Sequence, residues 1–136
     1  MIVRSFRLSD YSEVTGLLAE VFSEECYRDT MEAFANQLSW DSELVMVAER
    51  NNKVVGVIIG TIDVDNNGYY YRIAVARDHQ RKGIGKAMIQ ALKKRFQQRK
   101  VRKIMVSLDP YNEPIVPLYE SLGYPVSNTK LRIVSG

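Results

Sequence analysis

The sequence predicts an α/β domain in which about four helices flank a mixed, mostly antiparallel sheet. Three observations indicate this fold class. Apolar β-branched runs joined by short polar turns fill the middle of the chain, amphipathic helical patterns lie on both sides of them, and one strong helical pattern separates two strand-like runs. The length of 136 residues suits one domain and no linker divides it, so we expect a single domain over residues 1–136.

The first forty residues have the pattern of one strand followed by helices. A short strand is expected over residues 2–8, and Ser9 and Asp10 then offer an N-cap for a first helix over about residues 11–22. The polar segment "SEECYRD" indicates a connection. A second, short helix is expected near residues 30–38.

The middle of the chain has the pattern of an antiparallel meander. "RNNK" separates two apolar runs, which predicts a hairpin. Asn67 and Gly68 predict a second turn, of the Asn-Gly type, that leads into a strand over residues 69–75.

The last third of the chain begins with the clearest helical pattern. Apolar residues recur at spacings of three and four from Ile84 to about Gln98. A strand over residues 103–108 follows and should lie parallel to residues 69–75, because a crossover helix connects the two. "NEPIVPLYESLGY" predicts a short helix with Pro114 and Pro117 at its start and Gly123 at its end. "LRIVSG" is expected to form a final strand.

Composition and charge exclude several classes of protein. The net charge of +3 does not require a nucleic-acid or membrane partner. One cysteine, Cys26, and one histidine, His79, give too few ligands for an all-protein zinc site, and we expect no metal. No apolar run reaches the length of a signal h-region or a membrane span, so we expect a cytoplasmic protein.

The segment "RDHQRKGIGKAM" places two glycines one residue apart at the start of the strongest helix. It is not a dinucleotide fingerprint, because Met88 stands where the third glycine should be, and it is not a P-loop, because Gln80 and Ala87 replace the required glycine and hydroxyl residue. Strand, bend, glycines and helix N-terminus, with cations alongside, are typical of an anion site. A tight turn with solvated cations is the alternative.

Two motifs resemble those of the GCN5-related N-acetyltransferases (GNAT). "QRKGIGKAM" after a strand is similar to the family signature Gln/Arg-x-x-Gly-x-Gly/Ala, with Gln80, Gly83 and Gly85 at the signature positions. "LYESLGY", preceded six residues earlier by Asn112, resembles the closing helix of the family. The order of elements agrees over nearly the whole chain. The resemblance implies the GNAT fold, with a sheet splayed at a slot for acetyl-coenzyme A (acetyl-CoA) as co-substrate.

The resemblance also implies which residues bind that co-substrate. The loop would hold its pyrophosphate through main-chain amides, the strand before the loop would pair with the pantetheine arm, and a later asparagine would bond the arm from the other side. The implied binding residues are Gln80, Arg81, Lys82, Gly83, Ile84, Gly85 and Lys86 in the loop, Ala74 and Val75 on the strand, and Asn112 and Tyr119 beyond it.

The implied chemistry is direct acetyl transfer to a primary amine within a ternary complex. The Val75 amide would polarise the thioester carbonyl, and Tyr119 would protonate the departing thiolate. The general base stays open, because the two positions at which relatives carry a glutamate are Tyr69 and Ser107 here. The candidates are Glu49, Asp109, or a water chain held by the backbone and a tyrosine of the Tyr70–Tyr71 pair.

The acceptor and the partners are less defined. The acceptor is an amine-bearing small molecule or a peptide or protein, and acidic residues beside the first two helices (Glu24, Glu25, Asp41 and Glu43) would suit a cationic one. The seven cations within residues 93–103 could contact the 3′-phosphate of the nucleotide or form a solvated face. A non-catalytic acyl-CoA-binding module and a nucleic-acid-binding surface are the alternative functions. Edge pairing of the final strand could form a homodimer.

Overall fold

The computed structural model describes residues 1–107, 109–112, 115–124 and 126–127, with the last two in backbone alone. It contains a six-stranded sheet in the order β1 to β6. The strands are β1 (Ile2–Ser5), β2 (Val45–Arg50), β3 (Lys53–Ile62), β4 (Gly68–Val75), β5 (Ile104–Ser107) and β6 (Val126–Ser127). The described helices are α1 (Tyr11–Val21), α2 (Glu24–Asp41), α3 (Ile84–Gln98) and α4 (Val116–Ser121).

The sheet is mixed, as the sequence predicts. β1 to β4 form an antiparallel meander, and β5 pairs parallel to β4 after the α3 crossover. β6 is parallel to β5. The predicted final strand "LRIVSG", and the dimer contact suggested for it, lie outside the described residues.

Two apolar cores cover the two faces of this sheet. Alternate residues of each strand point to opposite faces, so Val45 and Val47 pack against α1 and α2, whereas Met46 and Ala48 pack beneath α3. The α3 core also contains Tyr119 of α4. The sheet is therefore covered on both faces.

The N-terminal helices differ from the prediction in two ways. The "SEECYRD" segment is not a connection: it begins α2, which has eighteen residues, because the Ser23 hydroxyl accepts a hydrogen bond from the Cys26 amide as an N-cap. Asp10 precedes α1 but does not cap it. Its carboxylate instead accepts hydrogen bonds from the Arg4 guanidinium and the Arg7 amide.

The two predicted turns have different outcomes. The β2–β3 hairpin turns through Asn51 and Asn52, both with positive φ, as a two-residue turn of the primed type requires. The second turn does not centre on Asn67 and Gly68. Asn66 takes the positive φ there, and the Asp63 carboxylate accepts the Asn67 amide.

Gly68 itself belongs to β4, where a Cβ atom would lie 2.9 Å from the Phe96 ring. Glycine is therefore needed at this position for the close approach of α3 rather than for the turn. The α3 and α4 predictions are confirmed, and Gly123, with φ +86°, follows the end of α4.

Candidate functional site

A cavity of about 720 Å³ opens beside the C-terminal half of β4. Its walls come from four parts of the chain: the end of α1, the last residues of β4, the glycine loop with the start of α3, and the segment that leads into α4. The residues of these walls include Val21, Phe22, Ile73, Ala74, Val75, His79, Gln80, Arg81, Gly83, Ile84, Gly85, Lys86, Tyr111, Asn112, Ile115 and Leu118. Most of the predicted binding residues are thus brought to one cavity; Lys82 and Tyr119 are not among its lining side chains.

The cavity exists because β4 and β5 separate. Their pairing ends at Tyr70 and Val106, although β4 continues to Val75. Tyr71 is an extra residue in β4 where the register with β3 shifts, and such a bulge bends and twists its strand. The predicted splaying of these strands is therefore present, and the bulge supplies its cause.

Asn112 lies in the fork between the two separating strands. Its side-chain amide is 4% exposed and donates to the carbonyl oxygens of Tyr71, at 2.8 Å, and Ser107, at 2.9 Å. Both amide hydrogens therefore satisfy backbone oxygens that the separation of the strands leaves without strand partners. Asn112 closes the fork, a role that the sequence does not indicate.

Strand alternation decides which backbone groups of β4 face the cavity. Ala76 donates to the Val55 carbonyl, and in an antiparallel pair every second residue makes such bonds. Ala74 is consequently bonded to Val57, whereas Val75 and Ile73 turn their amides and carbonyls away from β3. The expectation that the Ala74 backbone pairs with a pantetheine arm does not agree with this register, because Ala74 is bonded to β3 and Ile73 is the neighbouring residue whose backbone groups are free of β3.

The glycine loop presents a row of amides at the start of α3. Gly83 is the N-cap with φ +80°, and the first helical hydrogen bond runs from Ala87 to the Gly83 carbonyl. In the part of the chain that the structure describes, the amides of residues 82–86 donate to no protein group. Unpaired amides at the positive end of a fifteen-residue helix suit an anion, and Arg81 and Lys86 add positive charge at the cavity wall.

Gln80 joins the loop to the strand. Its side-chain amide donates to the Val75 carbonyl at 3.0 Å. The carbonyl of Val75 is thereby occupied, and its amide, which faces the same side of β4, is left for a ligand. Gln80 orients the loop over the end of β4 in addition to lining the cavity.

Tyr119 lies behind the cavity wall. The residue before it, Leu118, lines the cavity, whereas the Tyr119 ring is 1% exposed and stacks on Tyr70 with ring centroids 5.3 Å apart. Burial, with a contribution from Tyr124, raises the pKa of Tyr119 above the usual range of a phenol. The hydroxyl therefore keeps its proton at neutral pH, as an acid must.

The two carboxylates considered as bases are both held by arginines. Glu49 accepts from Arg4 at 3.0 Å, and Asp109 accepts from Arg72 at 2.8 Å. Neither side chain belongs to the cavity wall. His79 lines the cavity at its loop end, and Cys26 is buried in α2 beside Thr30.

Most of the acidic residues noted near the first helices are also paired. Asp41 and Glu43 bind Arg99, and Glu24 binds Arg28 on the surface of α2. Arg99 belongs to the basic segment 93–103, so part of that segment fastens α3 to the end of α2. Desolvation raises the pKa of the Tyr111 phenol, and the nearby carboxylates of Glu25 and of Asp29, which is itself paired with Arg72, raise it further.

Arg72 is a buried cation that the sequence analysis did not select. It is 1% exposed and sits in β4 directly after the bulge. Burial acts to lower the pKa of its guanidinium, but Tyr71 and Asp109 raise that pKa overall, so the side chain is charged. The sequence feature that could have indicated this residue is a single arginine inside the apolar strand "YYYRIAV". A strand that is covered on both faces must pair any charge that it contains, so this arginine needs acidic partners.

Among the described residues, no helix has both the length and the apolar character that crossing a bilayer requires.

Comparison with known proteins connects this architecture to one family. Residues 11–124 match the model of the Acetyltransferase (GNAT) family. The chain is 29% identical over 129 residues to an acetyltransferase from Yersinia pestis (strain Pestoides F), an alignment that covers 95% of this chain and 91% of that protein.

Solved structures show the same fold at lower identity. An aminoglycoside 6′-N-acetyltransferase from Acinetobacter haemolyticus superimposes with a TM-score of 0.71 at 14% identity and covers 100% of this chain and 99% of its own. A ribosomal-protein-alanine N-acetyltransferase from Brucella melitensis gives 0.70 at 19% identity, over 90% of this chain and 83% of its own. An aminoglycoside N-acetyltransferase in complex with CoA gives 0.68 at 14% identity, over 98% and 91% of the two chains.

The family match extends over the cavity, the separated strands and the glycine loop, which is where the residues predicted from the two motifs meet. The chain therefore belongs to the GNAT family and is an N-acetyltransferase that uses acetyl-CoA.

Proposed function

We propose that this enzyme transfers the acetyl group of acetyl-CoA directly to a primary amine that enters beside β4. One observation carries the proposal: residues 83–86, whose amides are unpaired, and the outward-facing backbone of Ile73 and Val75 line the same 720 Å³ cavity. The anionic diphosphate of coenzyme A needs unpaired amides, and its extended pantetheine arm, which carries amide groups, needs an exposed strand backbone. The residues present therefore fit coenzyme A.

The loop is suited to the diphosphate of the co-substrate. The amides of Lys82, Gly83, Gly85 and Lys86 would donate to it, and the Arg81 and Lys86 side chains would add charge. At Gly85, a Cβ atom would meet only the side chains of Ile73, at 3.7 Å, and Leu118, at 3.9 Å. Glycine is thus not required there by the protein's own packing, which supports a close approach by a ligand.

The exposed edge of β4 is suited to the pantetheine arm. Val75 and Ile73 offer backbone groups at every second position, as an added strand requires, while Ala74 contributes its side chain to the cavity wall. The Val75 amide would stabilise the charge that develops on the thioester oxygen. Asn112 limits the slot by holding the fork of β4 and β5, rather than by donating its amide hydrogens to the arm.

The proton transfers would use Tyr119 and water. Tyr119 would donate a proton to the departing thiolate, and its raised pKa keeps it protonated beforehand. Glu49 and Asp109 are engaged by arginines, so the substrate ammonium would lose its proton to water held by backbone groups, and the neutral amine would then attack the thioester carbonyl. Positioning of the amine supplies much of the rate in such a direct transfer.

The acceptor class follows the chemistry of the fold relatives, which are named for aminoglycosides and for the alanine of a ribosomal protein. Both kinds of acceptor present an amine. We expect spermidine, kanamycin A or a peptide with an N-terminal alanine to serve as a first probe of this enzyme. The free thiol of CoA, released with each transfer, is the readout.

The co-substrate site is tested by Gly85→Ala. We expect the dissociation constant of CoA, measured by calorimetry, to rise about tenfold because a methyl group enters the space of the diphosphate. The melting temperature should not fall, since the new methyl makes ordinary contacts. Gly16→Ala, in a helix away from the cavity, is the control and should leave CoA binding unchanged. Unaltered CoA affinity in Gly85→Ala would refute the diphosphate site at the glycine loop.

A further inference from the structure

Arg72 connects three separate elements through one guanidinium. It donates to Thr30 Oγ1 at 3.1 Å and to Asp29 Oδ2 at 2.9 Å, both on α2, and to Asp109 Oδ2 at 2.8 Å in the segment after β5. It also donates to the Tyr71 carbonyl of the bulge at 3.0 Å. Hydrogen bonds from a buried charge to two carboxylates are strong and directional, so these elements are held at fixed relative positions.

The Asp109 end of this connection shapes the cavity. While one oxygen of Asp109 accepts from Arg72, the other accepts the amides of Tyr111, at 2.9 Å, and Asn112, at 3.1 Å. Tyr111 and Asn112 both line the cavity, and Asn112 closes the fork of β4 and β5. The orientation of Arg72 is thus transmitted to two residues of the cavity wall through a single carboxylate.

The Asp29 end of the connection fastens α2 to the β4 bulge. Asp29 Oδ2 accepts from Arg72 and also from the Tyr71 hydroxyl at 2.7 Å. The guanidinium lies 4.3 Å from the centre of the Tyr71 ring and 5.2 Å from that of Tyr111, so it is stacked between two aromatic rings. The Asp29 side chain is half exposed, and the Tyr111 ring also faces solvent.

From these contacts we infer that Arg72 is a positioning residue for the acceptor. It clamps the first turns of α2 and the Tyr111–Asn112 turn to the β4 bulge. The clamp thereby sets where the amine lies relative to the thioester. The inference rests on the proposed function for its catalytic consequence. It does not involve the diphosphate loop, because the Arg72 guanidinium donates hydrogen bonds to Asp29, Thr30, Tyr71 and Asp109 and to none of residues 79–86. The clamp should therefore affect acetyl transfer more than CoA affinity.

Arg72→Lys tests the clamp, because lysine keeps the charge but cannot make the forked bonds. The matched control is Arg4→Lys. Arg4 is also largely buried and also binds two carboxylates, Asp10 and Glu49, but it lies on β1 and outside the cavity wall. Both variants should lose thermal stability to a similar extent, which removes stability itself as an explanation for any difference between them.

The measurements are kinetics with the amine that the wild-type enzyme acetylates best among spermidine, kanamycin A and an N-terminal alanine peptide, together with amide hydrogen exchange. For Arg72→Lys we expect kcat to fall at least tenfold and exchange at Tyr111 and Asn112 to accelerate by about the same factor. The dissociation constant of CoA should change less than threefold. For Arg4→Lys, kcat and exchange at these two amides should change less than twofold.

The outcomes separate this inference from the proposed function. If Arg72→Lys keeps the kcat of Arg4→Lys, or if Tyr111 and Asn112 stay protected, Arg72 is only a structural ion-pair partner and the inference is wrong. If the wild-type enzyme acetylates none of the three amines, the proposed acceptor class fails, but the exchange measurement and CoA affinity still decide whether the clamp exists. Loss of CoA binding in Arg72→Lys would also overturn the inference, because Arg72 would then serve co-substrate binding rather than the position of the acceptor amine.

Discussion

Tyr119 combines a ring that is almost fully buried with a hydroxyl that keeps its proton. The ring is stacked on Tyr70 and meets Tyr124 edge-on, and this burial is the first cause of the raised pKa of the phenol. An acid whose pKa lies above the usual range stays protonated throughout the neutral and mildly alkaline range. The phenol is therefore in the protonated form that a proton donor to the leaving thiolate requires.

Replacing Tyr119 with phenylalanine should lower kcat by about 10²-fold or more, which is the usual contribution of a positioned acid. The melting temperature should change little, because phenylalanine keeps the stacked ring. Initial rates of thiol release between about pH 7 and pH 10 are the measurement. Tyr124→Phe removes a hydroxyl from the same aromatic group and is the control, with an expected kcat close to that of the wild-type enzyme. Equal rates for Tyr119→Phe and the wild-type enzyme across this range would exclude the acid role.

At the scale of elements, the close packing of α3 on the sheet depends on glycines in the strands beneath it. A Cβ atom at Gly56 would lie 2.9 Å from Met88, and one at Gly60 would lie 2.9 Å from Leu92. The corresponding distance from Gly68 to the Phe96 ring is also 2.9 Å. Because real Cβ atoms do not approach this closely, α3 sits lower on the sheet than any larger residue would allow, and its N-terminus is thereby brought to the cavity.

Gly68→Ala should consequently destabilise the protein. The added methyl must displace the buried Phe96 ring, and such overpacking costs about 1–3 kcal/mol in the free energy of unfolding. Gly16→Ala is the matched control: nothing lies within 4 Å of its Cβ position in α1, and alanine is preferred to glycine in a helix by up to about 1 kcal/mol. Urea unfolding of both variants gives the comparison. A Gly68→Ala protein as stable as Gly16→Ala would contradict the packing argument.

At the scale of the whole molecule, stability should depend on pH through Asp10. The carboxylate is 4% exposed and joins the start of α1 to β1, because it accepts two hydrogen bonds from Arg4 and one from the Arg7 amide. The hydrogen bond from Arg4 is the first cause of its lowered pKa. A carboxyl whose pKa is lower in the folded chain stabilises the fold above its unfolded pKa, and that contribution is lost as the pH falls through the folded value.

Asp10→Asn should therefore lower the free energy of unfolding by about 1–3 kcal/mol at neutral pH, the cost of a lost charge-assisted bond with a partner left buried. The difference from the wild-type protein should shrink as the pH falls through the lowered pKa of Asp10 in the folded chain, because Asp10 is then protonated in both states. Denaturant unfolding at several pH values measures it. Exposed Glu32, replaced by glutamine, is the control. A difference that stays constant between these pH values would show that the carboxylate charge is not the cause.

Local pattern determined much of this molecule. The apolar spacing of α3 and the alternating runs of the meander follow from short-range geometry, which is why these elements could be predicted closely. Gly83 could be selected from the sequence because its positive φ at a helix start is a local requirement. The α2 boundary was missed because a polar first turn does not show the period of a helix, although Ser23 offered a cap.

The sequence by itself determined the family, the meander, the crossover helix and the loop of unpaired amides, since each depends on residues that are neighbours along the chain. Only the tertiary structure decided which backbone groups face the cavity, because one extra residue at Tyr71 shifts the alternation of β4 and separates it from β5. It also decided that Arg72 meets Asp29 and Asp109 across 43 and 37 residues of sequence. Pairing of buried charges over such separations is set by how the elements pack, and no local pattern encodes it.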